Sequence, residues 1–200
     1  MKTGKLAGWT PDVHLNEEGR AQAAALGTRL ANARIDAIYS SPLERTVETA
    51  QAVLEHHPGL QLHLLDALGE VRYGTWQGEE LVKLSQRKLW QVIQFAPSRA
   101  RFPGGEAMRE TQARAVNALE DLAVQHPHQT VAVVSHSDVI KMLVAHYLGL
   151  HLDMFQRIDI APASLTIIAV AYGRPMVVQV NETSYLPAPQ PKEEGDKKAR

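Results

Sequence analysis

Asn16 opens the first clear helical pattern in the chain. Behind it Ala23, Leu26, Leu30 and Ala33 recur at three- and four-residue intervals, which places them on one face of a helix. Asn is a good N-cap, and Glu17 and Glu18 suit the positive end of the helix dipole. Ile35 to Ser40 then has the character of a short strand. Ser41-Pro42-Leu43-Glu44 predicts a new helix, with Ser at the N-cap, Pro at the first helical position and Glu closing a capping box. That helix is expected to run to about His56 and to stop before Pro58-Gly59. Gly69 to Gly78 forms a loop. Leu81, Leu84, Leu89, Val92 and Ile93 predict a further helix, which Phe102-Pro103-Gly104-Gly105 ends. Met108, Ala115, Leu119 and Leu122 mark the next helix. Thr130 to Ser135 is an almost unbroken apolar run, as expected of a strand buried on both faces. Ser137 is expected to cap a helix through Leu148, with Gly149 just past its end. Leu165 to Ala171 and Met176 to Val180 predict two strands joined by a hairpin at Tyr172-Gly173-Arg174-Pro175.

Strands that alternate with helices imply an α/β domain, in which a largely parallel sheet is covered by helices. Ligands of such sheets bind outside the carboxyl ends of the strands. The 200 residues suffice for one domain with its own core, expected over residues 1–185. Residues 186–200 turn Pro-rich and then charged, with nothing to bury, and are expected to form a disordered tail.

Charge narrows the functions open to the chain. A formal net charge of -1 argues against a dedicated nucleic-acid or membrane-surface binder. The absence of cysteine excludes disulfides, thiol nucleophiles and thiolate metal sites. No apolar run is long enough to span a bilayer. Met1 to Lys5 is basic with no apolar stretch behind it, so no signal peptide is expected and the chain reads as cytoplasmic. Nine histidines raise the question of a metal, but no His pair stands at ligand spacing beside a carboxylate, so none is expected.

Two expected strand ends carry chemistry. After the first, Arg45 falls in the first turn of a helix, where a bound anion would offset its unfavourable position against the dipole. A solvated Arg45 paired with Glu44 or Glu48 is the plainer alternative. After the second, His136 stands where a buried strand meets a helix N-terminus. There a neutral imidazole can donate to a phosphoryl oxygen, or serve as a structural histidine. Glu70 lies between Gly69 and Gly78 in a loop with two aromatics, Tyr73 and Trp76. A carboxyl held near apolar rings has a raised pKa and can protonate a leaving oxygen, whereas a lone Glu is more commonly a surface residue.

These pieces follow the order of one family. From about Gly4 to Val180 the chain resembles the histidine phosphatase (phosphoglycerate mutase-like) superfamily. Gly8-Trp9 with Leu15 to Ala23 is similar to its first loop and helix, and Ile38 to Thr46 to its phosphate-arginine motif. Glu70 to Gly78 is similar to its proton-donor loop, and Phe102 to Glu106 and Val133 to His136 complete the series. The resemblance implies a three-layer α/β fold and action on phosphorylated small molecules, with no organic cofactor or metal. Arg45 and His136 would hold the transferring phosphoryl group, and Glu70 would be the general acid. Ser137 would line the phosphate pocket where the family usually has glycine. Ala7 and Gly8 would contact substrate, as would Arg72 and Tyr73.

One departure is large. The family's first strand ends in Arg-His-Gly, and that histidine attacks phosphorus. Only seven residues precede Gly8, and none is His or Arg. The first central strand and the nucleophile are therefore expected to lie outside the chain, with Met1 a misplaced start. His14, next to the first helix, is a poor substitute. Two functions stay open. One is a phosphomonoester phosphatase or phosphomutase that works through phosphohistidine once the segment is present. The other is a phospho-ligand binding module without turnover, or an inactive truncated paralogue.

Overall fold

The computed structural model describes residues 4–171 and 173–188. The disordered tail expected from residue 186 therefore lies mostly outside the described residues; Leu186 itself closes a turn, its N–H donating to the Thr183 carbonyl.

Three parallel strands form the central sheet. They are β1 (Ala37–Ser40), β2 (Leu62–Leu64) and β3 (Val131–Val134), in the order β2-β1-β3. Tyr39 lies opposite His63 on one side and Val133 on the other, which sets the register. Alternation along the strands divides the faces. Ile38, Ala132 and Val134 share a cluster with Leu26 of α1 (Glu17–Leu30) and with Ala50 and Val53 of α2 (Glu44–Leu54). Tyr39 points the other way, where its hydroxyl lies 3.0 Å from His126 Nε2, just beyond α5 (Met108–Gln125). On that side α5 packs on α6 (Ser137–Tyr147) through Ala115, Val116, Val139 and Leu143. The fold is thus α/β, a parallel sheet between helices. The remaining strands, β4 (Leu165–Ala171) and β5 (Arg174–Glu182), pair with each other as a separate antiparallel hairpin.

Local chemistry explains several boundaries. The Asn16 side chain accepts from the Gly19 N–H at 2.8 Å and caps α1 as expected. Gly149 has φ +67 and closes α6, a conformation that suits glycine. Other expectations are corrected. Ser41 does not cap α2, which begins at Glu44 behind Leu43 with no side-chain cap. The Ser41 hydroxyl is drawn instead to His136 Nε2 at 2.8 Å, so no capping box forms. Ser137 does not cap α6; His136 holds the cap position and the Ser137 hydroxyl donates to the Ile160 carbonyl at 3.0 Å. The helix expected over Leu81 to Ile93 is two, α3 (Leu81–Ser85) and α4 (Lys88–Phe95), which break at Gln86-Arg87. The fully buried strand expected at Thr130 to Ser135 is half-buried over Val131 to Val134, because among the described residues β3 pairs with β1 alone and its other edge faces a cavity.

Between α3 and α6 the irregular segments have a core of their own. Val71, Tyr73, Trp76, Leu84, Phe102, Met108 and Phe155 are buried together. Tyr73 and Phe102 meet edge to face at 4.9 Å between centroids. Here the Arg72 to Thr75 and Pro103 to Glu106 segments run against each other: Thr75 N–H donates to the Pro103 carbonyl and Glu106 N–H to the Arg72 carbonyl. A Cβ on Gly105 would sit 2.1 Å from the Arg72 carbonyl oxygen, so only glycine permits this approach. Gly105→Ala is expected to lower stability by about 1–3 kcal/mol, the usual cost of overpacking a close contact. A denaturant midpoint that does not move would contradict this.

Candidate active site

A cavity of about 700 Å³ runs along β3 and past its carboxyl end to His136. It has two parts. Its apolar length is lined by Val131 and Val133 of β3, Leu165 and Ile168 of β4, and helical residues including Leu26, Val53 and Leu143. Its polar end holds Arg45, Glu70, Tyr73, His136 and Ser137, together with Ala7 and Gly8. This is the carboxyl edge of the parallel sheet, where ligands of such folds bind.

Arg45 is not the solvated residue of the plainer alternative. Its Nη2 donates to the Gly8 carbonyl at 3.0 Å and lies 3.1 Å from His136 Nδ1. Among the described residues it forms no ion pair with Glu44 or Glu48, whose carboxylates meet the Asp12 N–H and His14 instead. Its Nη1 is buried with no hydrogen-bond partner among the described residues. A buried unpaired donor on a cation costs more than a satisfied one, and an anion would satisfy it. Gly8 makes the arrangement possible: it has φ +52, and a Cβ there would meet the Tyr73 ring at 2.9 Å.

His136 follows β3 by two residues and holds the cap position of α6. Burial first, then the charges of Arg45 and Arg114, pull its pKa down to about 3. The ring is therefore neutral at physiological pH. Its Nδ1 lies 3.9 Å from Glu70 Oε2, a distance within ion-pair range, but a neutral imidazole forms no ion pair.

Glu70 behaves in the opposite sense. Burial first, then the negative charge of Asp138, push its pKa up to about 7. A bond from the Val71 N–H at 2.9 Å and the charges of Arg45 and Arg114 oppose the rise without cancelling it. The carboxyl can thus both give and take a proton near neutral pH. The same shift bears on stability. Between about 4.5 and about 7 the unfolded carboxyl is ionised while the folded one still holds its proton, so stability falls as pH rises through this window. Glu70→Gln removes that cost. The variant is expected to gain in Tm relative to the parent at pH 8 and not at pH 4; equal differences at both would contradict the raised pKa.

The Glu70 loop is fixed from behind. Arg114 of α5 donates to the carbonyls of Ala67, Gly69 and Glu70 at 2.7 to 2.9 Å. Its other bonds go to the Glu106 carboxylate at 2.8 and 3.0 Å. Glu106 in turn accepts from the Arg72 N–H and the Thr111 hydroxyl. Trp9 Nε1 also donates to the Glu70 carbonyl at 2.6 Å. Sequence reasoning did not find Arg114. Nothing local marks it, since its partners lie some forty-five residues away as well as eight.

The other expected residues fall differently. Ala7, Gly8, Tyr73 and Ser137 line the cavity. Arg72 does not; its guanidinium stacks on the Trp9 ring at 3.9 Å and stands 3.8 Å from the Asp66 carboxylate. His14 is half-exposed and bonded to Glu48, away from the cavity.

A neutral histidine, a buried arginine with a free donor, and a carboxyl titrating near 7, at the carboxyl edge of a parallel sheet, suit a domain that binds and transfers an oxyanion. Comparison with known proteins agrees. The model of the histidine phosphatase superfamily (branch 1) matches residues 1–183, and the chain belongs to that superfamily. It is 31% identical to phosphoserine phosphatase 1 of Hydrogenobacter thermophilus, over 88% of this chain and 83% of the relative. It is also 31% identical to a 2,3-bisphosphoglycerate-dependent phosphoglycerate mutase of Bartonella bacilliformis, over 90% and 86%. Among solved structures, YhfR of Bacillus stearothermophilus superposes with a TM-score of 0.87 at 28% identity, covering 92% of each chain. A phosphoserine phosphatase of Entamoeba histolytica in complex with 3-phosphoglyceric acid superposes at 0.82 with 26% identity, covering 92% of this chain and 91% of the other. Its relatives thus include phosphatases and mutases. Among the described residues, no helix is long and apolar enough to cross a membrane.

Proposed function

We propose that this domain transfers phosphoryl groups from phosphorylated small molecules, as a phosphatase or a phosphomutase, through a phosphohistidine intermediate. The observation that carries this most is Arg45 Nη1, a buried and unpartnered cationic donor lining the same cavity end as His136 and Glu70. Arg45 and His136 hold the phosphoryl oxygens. A histidine nitrogen attacks phosphorus and the bond to the leaving alcohol oxygen breaks, while Glu70 gives that oxygen its proton. Water then attacks the phosphohistidine, Glu70 takes the water's proton, and phosphate leaves. In a mutase the second acceptor is a substrate hydroxyl. Ala7, Gly8, Tyr73 and the Ser137 backbone shape the substrate end.

The attacking histidine is not His136, whose two ring nitrogens already face Arg45 and Ser41. None of the other eight histidines lines the cavity. We propose that the nucleophile is carried by a strand outside residues 1–200, lying in the apolar length between β3 and β4. The shape of that length supports this, since among the described residues each of the two flanking strands is paired on one edge.

The second function, binding without turnover, is favoured by one observation alone: the cavity as described holds an oxyanion site and no free nucleophile. Labelling decides between them. The protein with that strand present is incubated with radiolabelled phosphoserine or 3-phosphoglycerate, substrates suggested by the relatives' names, and quenched in alkali. Protein-bound label that survives alkali and is lost in acid supports phosphohistidine chemistry. Phosphate binding with no label and no released product supports the binding module.

A further inference from the structure

The hydrogen bonds of His136 fix where its proton sits. A guanidinium N–H only donates, so His136 Nδ1, 3.1 Å from Arg45 Nη2, must present its lone pair. The ring is neutral, so the proton is on Nε2, which donates to Ser41 Oγ at 2.8 Å. This tautomer is the wrong one for holding a phosphoryl group at Nδ1. A neutral ring with its lone pair toward the cavity repels an oxyanion rather than binding it.

Ser41 offers the way out. It is fully buried, and its Oγ also accepts from the Leu43 N–H at 3.3 Å. Among the described residues the hydroxyl proton has no acceptor other than His136 Nε2 in the opposite tautomer. We propose that Ser41 is a positioning residue that switches the tautomer of His136 when the phosphoryl group arrives. In the free site Nε2–H donates to Ser41 and Nδ1 accepts from Arg45. In the occupied site Arg45 turns its donor to a phosphoryl oxygen, Nδ1–H donates to the same group, and the Ser41 hydroxyl donates to Nε2. Nδ1 takes a proton from solvent water and Nε2 returns one to solvent, so the protons balance and the charge of the ring does not change. The hydroxyl suits this because it can donate or accept by rotation alone. The low pKa of the ring agrees, since it leaves tautomer exchange as the route to an Nδ1 donor. The switch rests on Arg45 and His136 being the phosphoryl site proposed above.

The test is 15N NMR of the histidine-labelled chain, free and saturated with inorganic phosphate. The free His136 is expected to show a pyrrole-type Nε2 and a pyridine-type Nδ1, and phosphate is expected to exchange the two. Binding is followed separately through the Gly8 amide and the Arg45 side chain. If these move and the tautomer does not, the switch is overturned while the phosphoryl site stands. If neither moves, the site itself fails and the switch with it. Ser41→Ala removes the partner of Nε2 in the bound state and is expected to weaken phosphate binding by about tenfold or more. Ser41→Thr keeps the hydroxyl and is expected to recover most of that loss; an alanine variant that binds as the parent does would also overturn the switch.

Discussion

With the nucleophilic strand present, Glu70→Gln will cut turnover of a phosphomonoester with a poor leaving group by about 10²- to 10⁴-fold, the range typical of a lost general acid. The amide occupies the same volume and still accepts from the Val71 N–H, so the loop keeps its shape. What it loses is the proton. A serine-type alkoxide cannot leave unprotonated, whereas a nitrophenolate can. The loss is therefore expected to be large for phosphoserine and small for p-nitrophenyl phosphate in the step that breaks the ester. The parent should show the matching pH profile: with Glu70 at about 7, kcat for the poor leaving group falls above that pH. Stopped-flow or quench kinetics on both substrates would check this. Equal losses on both, or a flat profile through pH 8, would remove Glu70 from the role of acid. The variant's expected gain in stability at pH 8 gives the result a second side. A carboxyl kept where ionisation is costly is poorly explained by stability and well explained by proton transfer.

Arg45→Ala is the second large effect. It removes the donor that reaches His136 and Gly8 together with the free Nη1. Loss of one such preorganised donor typically costs about 10²- to 10³-fold in kcat. Arg45→Lys should recover little, because a single ammonium cannot reach the Gly8 carbonyl and a phosphoryl oxygen with a planar fork. Inorganic phosphate binding, measured by calorimetry, should weaken in both variants. If lysine restored both rate and binding, the planar contact would not matter and Arg45 would act as charge alone.

Much of this site was visible along the chain, for a physical reason. Arg45 lies in the first turn of the helix after β1 and His136 caps the helix after β3, so local pattern placed both at one edge of the sheet. Asn16 capped its helix because capping is a contact between near neighbours. Where long-range contacts compete with local ones, the pattern misled. Ser41 has every local mark of a helix cap, yet its hydroxyl belongs to a histidine 95 residues away. Val131 to Val134 has the composition of a doubly buried strand, and composition cannot report that one side of β3 faces a cavity. β2 has three residues, too few for a period to declare itself. Arg114 and Glu106 support the Glu70 loop from the far side through contacts that only the assembled fold creates.

The separation of the hairpin from the central sheet has a dynamic consequence. No strand ladder joins β4 to β3 among the described residues, so the hairpin is held by side chains and a few loop bonds. Asn181 reaches the Ala161 N–H at 2.7 Å, and the Tyr185 hydroxyl donates to the Ala163 carbonyl. Amide protons of β4 and β5 should then exchange with solvent through an opening that leaves β1 and β2 protected, two cooperative units rather than one. Anything that comes to lie in the cavity and pairs with both free edges would weld those units together. Its arrival would register as slowed exchange far from the phosphate site, in residues that never touch the substrate.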